Sequence, residues 1–280
     1  LTPSGLHYKH IVKASNYFKN IIVEKPMVMN SDQANKIKVI CNRKKINLFI
    51  VKQNRYNPAI KKLKQAIDQK RFGKIFLATI RVRWSRKEKY FLLDKWRGTW
   101  KNDGGVLANQ ASHHIDLIQW LMGDLKSVYA KTLKITKKTM ASDTCLAILN
   151  FKNGALGLVE ATTATRPNDL EGSISVLGTK GTVVIGGYAV SKIDTWQFTK
   201  TKKIDKNIFK YSSNYKNVYG FGHTEFYKDV YNYLSNKKNS ATTIKDGIKS
   251  IKIIDKIYSS AEKLKEIKFN DNSFSKKLGK

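Results

Sequence analysis

Apolar and polar positions change rhythm about a quarter of the way along the chain, and the change predicts two kinds of architecture. In "NIIVEKP" a short apolar run, Ile21 to Val23, reads as a strand halted at Pro26. "NSDQANKIKVICNRKK" reads as a helix, with Asn30 or Ser31 as N-cap and Ala34, Ile37 and Cys41 along one apolar face. "LFIVKQNRYNP" gives a second strand, Leu48 to Val51. "NPAIKKLKQAIDQKRFG" is a second helix: Asn57 caps, Pro58 sits at the first helical position, Ile60, Leu63 and Ile67 repeat at helical spacing, and Gly73 ends it. Strand, helix, strand, helix predicts a parallel sheet with crossover helices.

Beyond Gly73 the pattern becomes one of long paired strands. "KIFLATIRVRW" and "SVYAKTLKI" each read as one strand, and "DTCLAILNFKNGALGLVEATTAT" as two strands turning at Asn153-Gly154. "GSISVLGTKGTVVIGGYAVSKIDTWQF" reads as two or three more, turning near Gly178 and Gly181. Two helices close the chain, the last with an apolar stripe of Ile244, Ile248, Ile251, Ile254, Tyr258 and Ala261. The fold class is therefore α/β. Residues 1–72 form a parallel βα unit and residues 73–280 an α/β domain on a large open, mostly antiparallel sheet.

Composition changes this picture little. The chain has 280 residues and is 41% hydrophobic, which suits a soluble protein with a sizeable core. No apolar run approaches the roughly 20 residues of a membrane span, and no stretch is ordered like a signal peptide. Cys41 and Cys145 have no motif spacing and read as reduced core residues of a cytoplasmic protein. The net charge of +32 raises nucleic acid binding as a rival function. Against that, there are eight arginines to 45 lysines, and the lysines are scattered. What survives is attraction of an anionic ligand.

The densest candidate chemistry is "NQASHHIDLIQW", residues 109–120. Wrapped as one helix, Asn109, His113, Asp116 and Trp120 share a face, while His114, Leu117, Ile118 and Leu121 line the next. The two histidines diverge and no further ligand is near, so no metal is expected. Two readings of His113 remain: a satisfied core histidine, or a proton carrier. The preceding "DGG", residues 103–105, favours the second, because glycines let a helix N-terminus approach a ligand. Lys25 of "EKP" ends a parallel strand, at the edge where such sheets bind ligands. There it can hold a substrate hydroxyl, and burial would lower its pKa. "YGFGHTEF", with Gly220 and Gly222, and "GTKGTVVIGG" both lack the strand–GxGxxG–helix context of a phosphate cradle.

Taken together, "TPSGLH", "VEKP", "QNRYNPAIKKL", "WRGTWKNDGGVLANQASHHIDLIQWLMG" and "GHTEFYKDV" resemble the glucose–fructose oxidoreductase, inositol dehydrogenase and MocA family. Within it they are most similar to the UDP-N-acetylglucosaminuronate 3-dehydrogenases of surface polysaccharide synthesis. The resemblance runs from Thr2 to about Tyr258. It implies a partial Rossmann domain, since the family's glycine-rich turn and its ribose-binding acidic residue would lie upstream of "TPSG". The chain is thus expected to be an N-terminally truncated fragment, itself inactive.

The resemblance further implies NAD as cofactor, with NADP left open, an anionic sugar-nucleotide substrate, and a homo-oligomeric dimer or tetramer. Lys25 matches the family's catalytic lysine and His113 its proton-accepting histidine. Asn109 stands where many members carry an aspartate, and an amide positions substrate but takes no proton. Thr2, Pro3, Ser4, His7, Glu24, Pro26, Trp96 and Arg97 match the cofactor's surroundings. Asn54, Tyr56, Arg83 and Arg166 are candidates for the substrate's carboxylate or diphosphate. The rivals are a same-family dehydrogenase or reductase of another sugar or cyclitol, and a basic nucleic-acid-binding protein.

Overall fold

The computed structural model describes residues 2–213, 222–237 and 241–280, so Leu1 and Gly220 lie outside it. A 3₁₀ turn, Ser4–Leu6, leads into α1 (His7–Ala14). Strand β1 (Asn20–Val23) then pairs in parallel with β2 (Asn47–Ile50), with α2 (Ser31–Lys44) between them. Asn30 caps α2 as its sequence predicts, Oδ1 accepting the Gln33 N–H at 3.0 Å. Helix α3 (Pro58–Asp68) starts with proline at its first position. Asn57 does not cap it; its amide donates to the Ala189 carbonyl at 2.7 Å and so ties α3 to the later domain. The helix ends before Gly73, whose φ of 65° serves the turn into the next strand.

The large sheet starts at β3 (Ile75–Arg83). Three short helices follow: α4 (Glu88–Leu92), α5 (Gly105–Ala108) and α6 (Ser112–Met122). Then come β4 (Leu125–Leu133), β5 (Thr144–Phe151), β6 (Leu156–Thr162), β7 (Glu171–Gly178), β8 (Gly181–Gly186) and β9 (Lys192–Phe198). Helices α7 (Gly222–Leu234) and α8 (Ile244–Lys263) and a two-residue strand, β10 (Ile267–Lys268), complete the chain. The strand order is β10-β4-β5-β6-β3-β7-β8-β9, and every pairing in it is antiparallel except β3 with β6.

Period-two alternation decides which face is covered. On β5, Cys145, Ala147 and Leu149 are buried while Leu146 and Ile148 are exposed. Helices α6 and α8 lie on the buried face, where Ile115, Ile118, Ile254 and Ile257 share one core with Ile80, Val128, Leu149 and Val159. Each such side chain stabilises by about 1.5–3 kcal/mol when withdrawn from water.

Packing crosses the division expected at residue 73. Ile251 of α8 is part of the core that holds Val23, Ile37 and Ile50, and Ile244 and Ile248 pack against it. The Thr242 hydroxyl donates to the Ile50 carbonyl at 2.5 Å, and the Ser31 N–H donates to Asp255 at 2.9 Å. The C-terminal helix thus closes the first unit's core as well as covering the sheet.

Candidate active site

A cleft of about 200 Å³ opens between the carboxyl ends of β1 and β2 and the large domain. Lys25 reaches it from the loop after β1, Gln53 and Asn54 from the 3₁₀ turn after β2, Asn109 and Gln110 from the α5–α6 junction, and His113 from α6. Arg86, Tyr90 and Arg97 line it as well. Convergence at the carboxyl ends of parallel strands is what an open α/β sheet provides.

Lys25 Nζ donates to the Asn109 carbonyl at 2.7 Å. Burial pushes its pKa down to about 8; Glu24 and Asp103 work against that shift, and nearby Lys52 adds to it. A good share of the amine is then neutral just above neutral pH. Burial also drives the His113 imidazolium well down, helped by the positive charges of Lys25 and Lys52, so the ring is neutral. Its Nε2 accepts from the Gln53 amide at 2.9 Å, which leaves the proton on Nδ1 in this arrangement.

Three buried atoms of cleft residues have no partner among the described residues: Trp84 Nε1, Asn54 Oδ1 and Gln53 Oε1. Each unpaired polar atom costs about 1–3 kcal/mol. A donor and two acceptors left unmade at one cleft suit a ligand rich in hydroxyl and amide groups.

Behind His113 lies a cluster of buried charge. Asp116, 1% exposed, accepts from Arg55 Nε at 2.7 Å and Nη2 at 2.8 Å, and from the Ser250 hydroxyl at 2.9 Å. Lys52 Nζ stands 3.3 Å from the same carboxylate, and Arg55 also donates to Asp246 at 2.9 Å. Burial alone would raise the Asp116 pKa, but Lys52 and Arg55 hold it well below the usual carboxylate range. The cluster ties the turn after β2 to α6 and α8, and so fixes Gln53 against His113.

Several expectations are corrected. Residues 109–120 do not form one helix: Asn109 caps the end of α5, and α6 starts at Ser112. Asn109 and His113 still meet in the cleft, but Asp116 faces Arg55 and Lys52. Gly104 and Gly105, both with φ near 70°, do not open a helix end to a ligand. A Cβ on Gly104 would stand 2.7 Å from Ala108 and Met29, and one on Gly105 would stand 2.5 Å from the Ser142 carbonyl. These glycines let two chain segments pack. His114 is fully buried edge-on to Trp84 at 5.9 Å, and burial lowers its pKa to about 4.

Of the other candidates, Asn54 and Arg97 line the cleft. His7 Nδ1 donates to the Pro26 carbonyl at 2.8 Å, which seats Ser4 and α1 behind the Lys25 loop. Glu24 Oε2 accepts the Lys25 N–H at 3.3 Å, and Trp96 lies under the Arg97 guanidinium at 4.8 Å. Thr2, beside Pro3, is exposed, with its hydroxyl 3.2 Å from His10 Nδ1. Three substrate candidates do not line the cleft. Tyr56 packs edge-on to Phe226 at 6.3 Å. Arg83 is neutralised by Glu160 and Glu171, at 2.5 and 2.9 Å. Arg166 donates to the Thr165 and Arg86 carbonyls. Sequence reasoning missed Gln53, Arg86, Tyr90 and Gln110. Gln53 lies just past the end of β2, the strand-edge position that singled out Lys25 beside β1.

Residues 1–52 match a family model described as "Oxidoreductase family, NAD-binding Rossmann fold", and residues 64–269 one described as "Oxidoreductase family, C-terminal alpha/beta domain". The chain belongs to the GFO/IDH/MocA oxidoreductase family. The family's first domain binds NAD. The WlbA dehydrogenase of Bordetella pertussis, solved with NADH and UDP-GlcNAcA, is 39% identical, with a TM-score of 0.91 over 95% of this chain and 77% of that one. The WlbA dehydrogenase of Chromobacterium violaceum, with the same two ligands, is 36% identical, with a TM-score of 0.89 over 95% and 75%. Oxidoreductase P35 of Formosa agariphila is 26% identical over 223 residues, 77% of this chain and 64% of that protein. The chain thus spans just under two thirds of that relative's length.

The donor set at the strand ends suits the nicotinamide end of NAD: Lys25 offers a cationic donor and Asn54 Oδ1 a buried acceptor without a partner. Among the described residues no three His, Cys, Asp or Glu side chains group as a metal site, and no helix is long and apolar enough to cross a membrane.

Proposed function

We propose that this chain serves an NAD-dependent dehydrogenase that oxidises the C3 hydroxyl of a UDP-N-acetylglucosaminuronate-type sugar nucleotide. The observation that carries the reading is the convergence of Lys25, Asn109 and neutral His113 on one cleft that retains unpaired amide groups. The likeness to two dehydrogenases solved with UDP-GlcNAcA supports the substrate class. NAD, when bound, supplies the acceptor for the C3 hydride. Lys25 and Asn109 position the sugar, Lys25 holding the C3 hydroxyl. The hydroxyl proton passes to His113 or to neutral Lys25. For His113 to take it at Nε2, the Gln53 amide must give way to the substrate hydroxyl. Arg86 and Arg97 line the cleft, each already paired with one carboxylate, Asp169 at 3.0 Å and Asp94 at 2.8 Å, and their remaining N–H groups suit the substrate's carboxylate or diphosphate.

The same reading places the protein in the cytoplasm, in sugar synthesis for surface polysaccharides, as a dimer or tetramer. The exposed Tyr129, Leu146, Ile148 and Leu156 of the open sheet suit a second copy.

The test is NADH formation with UDP-N-acetylglucosaminuronate beside a panel of free sugars and inositols. His113→Ala should lower turnover by about 10²–10⁴-fold with little change in KM. Unaltered turnover would exclude His113 as proton acceptor, and preference for a free sugar or inositol would exclude the substrate.

A further inference from the structure

A second cavity, of about 700 Å³, lies beyond the far end of α6, between the start of β4, the outer side of α8 and β10. Its size is that of a small-molecule site. Five lysines line it, Lys126, Lys152, Lys249, Lys252 and Lys268, against one carboxylate, Asp124. Five positive charges and one negative leave a local charge of +4. Only Lys249 has a carboxylate within salt-bridge range among the described residues, Asp124 at 3.2 Å. Like charges converging on a concave surface raise the local concentration of anions.

The cavity has more than a charged rim. Gln119 of α6 lines it, is 5% exposed, and its side-chain amide has no partner among the described residues. As a lining group it can both donate to and accept from a ligand in the cavity. Leu125, Ile253 and Phe269 form an apolar wall, with Lys252 Nζ 5.9 Å from the Phe269 ring centre. The arrangement has a cationic mouth, a flat apolar wall and one amide at the floor. The mouth carries lysine alone, which binds phosphate as a point charge.

We infer that this cavity binds an oligophosphate carrying a planar ring, a nucleoside di- or triphosphate in chemical class, with its phosphates at the lysine mouth and its ring between Phe269 and Gln119. The site is separate from the cleft. His113 and Gln119 are six residues apart on α6, roughly 9 Å along its axis at 1.5 Å per residue. Its elements, β4, β10 and the outer side of α8, take no part in the cleft.

The test is calorimetric binding of inorganic tripolyphosphate and of ATP to the whole chain at physiological ionic strength. Lys249→Glu with Lys252→Glu should weaken both by at least about tenfold. The charge-matched pair Lys137→Glu with Lys138→Glu, on an exposed loop, should change them less than about twofold, because screening acts within about 8 Å. Gln119→Leu should weaken ATP and spare tripolyphosphate. Lys25→Met in the cleft should leave both unchanged, so a failure here is distinct from a failure of the proposed function. Equal losses from the two charge-reversed pairs would reduce the effect to the overall field of the protein, and no binding of either probe would refute the site.

Discussion

Asp116→Asn removes one charge from the buried cluster and leaves its shape. Lys52, 3% exposed, would lose its only salt-bridge partner among the described residues, and Lys52 and Arg55 would share the one remaining carboxylate, the partly exposed Asp246. Breaking a buried ion pair from one side costs about 3–5 kcal/mol, because the remaining charge stays desolvated. Unfolding entropy for 280 residues is about 0.6 kcal/mol per degree near 60 °C, so the melting temperature should fall by roughly 7 °C. The pH dependence gives the sign a second check. The folded carboxyl titrates well below its unfolded value, so its contribution is complete above about pH 5 and is lost as pH falls below about 4. The gap between wild type and Asp116→Asn should therefore close in acid. Thermal unfolding followed by circular dichroism from pH 3 to pH 7 would measure both. A loss under about 2 °C at pH 7, or a gap that widens in acid, would refute this account of the cluster.

Gln53→Leu should free His113 Nε2, shift that ring's ¹⁵N signals toward a tautomer mixture, and lower turnover more than it changes KM; unaltered ring signals would remove Gln53 as a positioning residue. With the Lys25 pKa near 8, turnover that needs the neutral amine should rise through about pH 8, and Lys25→Arg should abolish that rise together with most activity. Burial pushes the Cys145 thiol up to about 12 and raises that of Cys41, so neither should react with a thiol reagent in the native protein; both should react once it is denatured.

Local physics made much of this fold readable. The Asn30 cap, proline opening α3, and Asn153-Gly154 with Gly154 at φ 85° each act within a few residues, and each stands where its sequence predicts. The reading of residues 109–120 as one helix failed because helical spacing does not reveal a break. Gly104 illustrates why such breaks hide: a Cβ there would meet Met29, remote in sequence. Lys25 was visible from its strand-edge position. Gln53 was not, because its meaning lies in a hydrogen bond to a ring 60 positions away. Arg83 misled because a cation near a ligand and a cation paired across strands look the same until Glu160 and Glu171 are placed beside it.

The hydrogen bond between Thr242 and Ile50, 192 positions apart, has a consequence for synthesis. Strands β1 and β2 leave the ribosome well before the residues that close their core. At about 5–20 residues per second, β2 waits roughly 10–40 s for Thr242 and α8. During that interval the side of this core that Ile251 covers has only solvent or a chaperone against it. Helix α8 therefore acts as a late-arriving clasp, and a stop codon ahead of it would leave the core around β1 and β2 open to proteases.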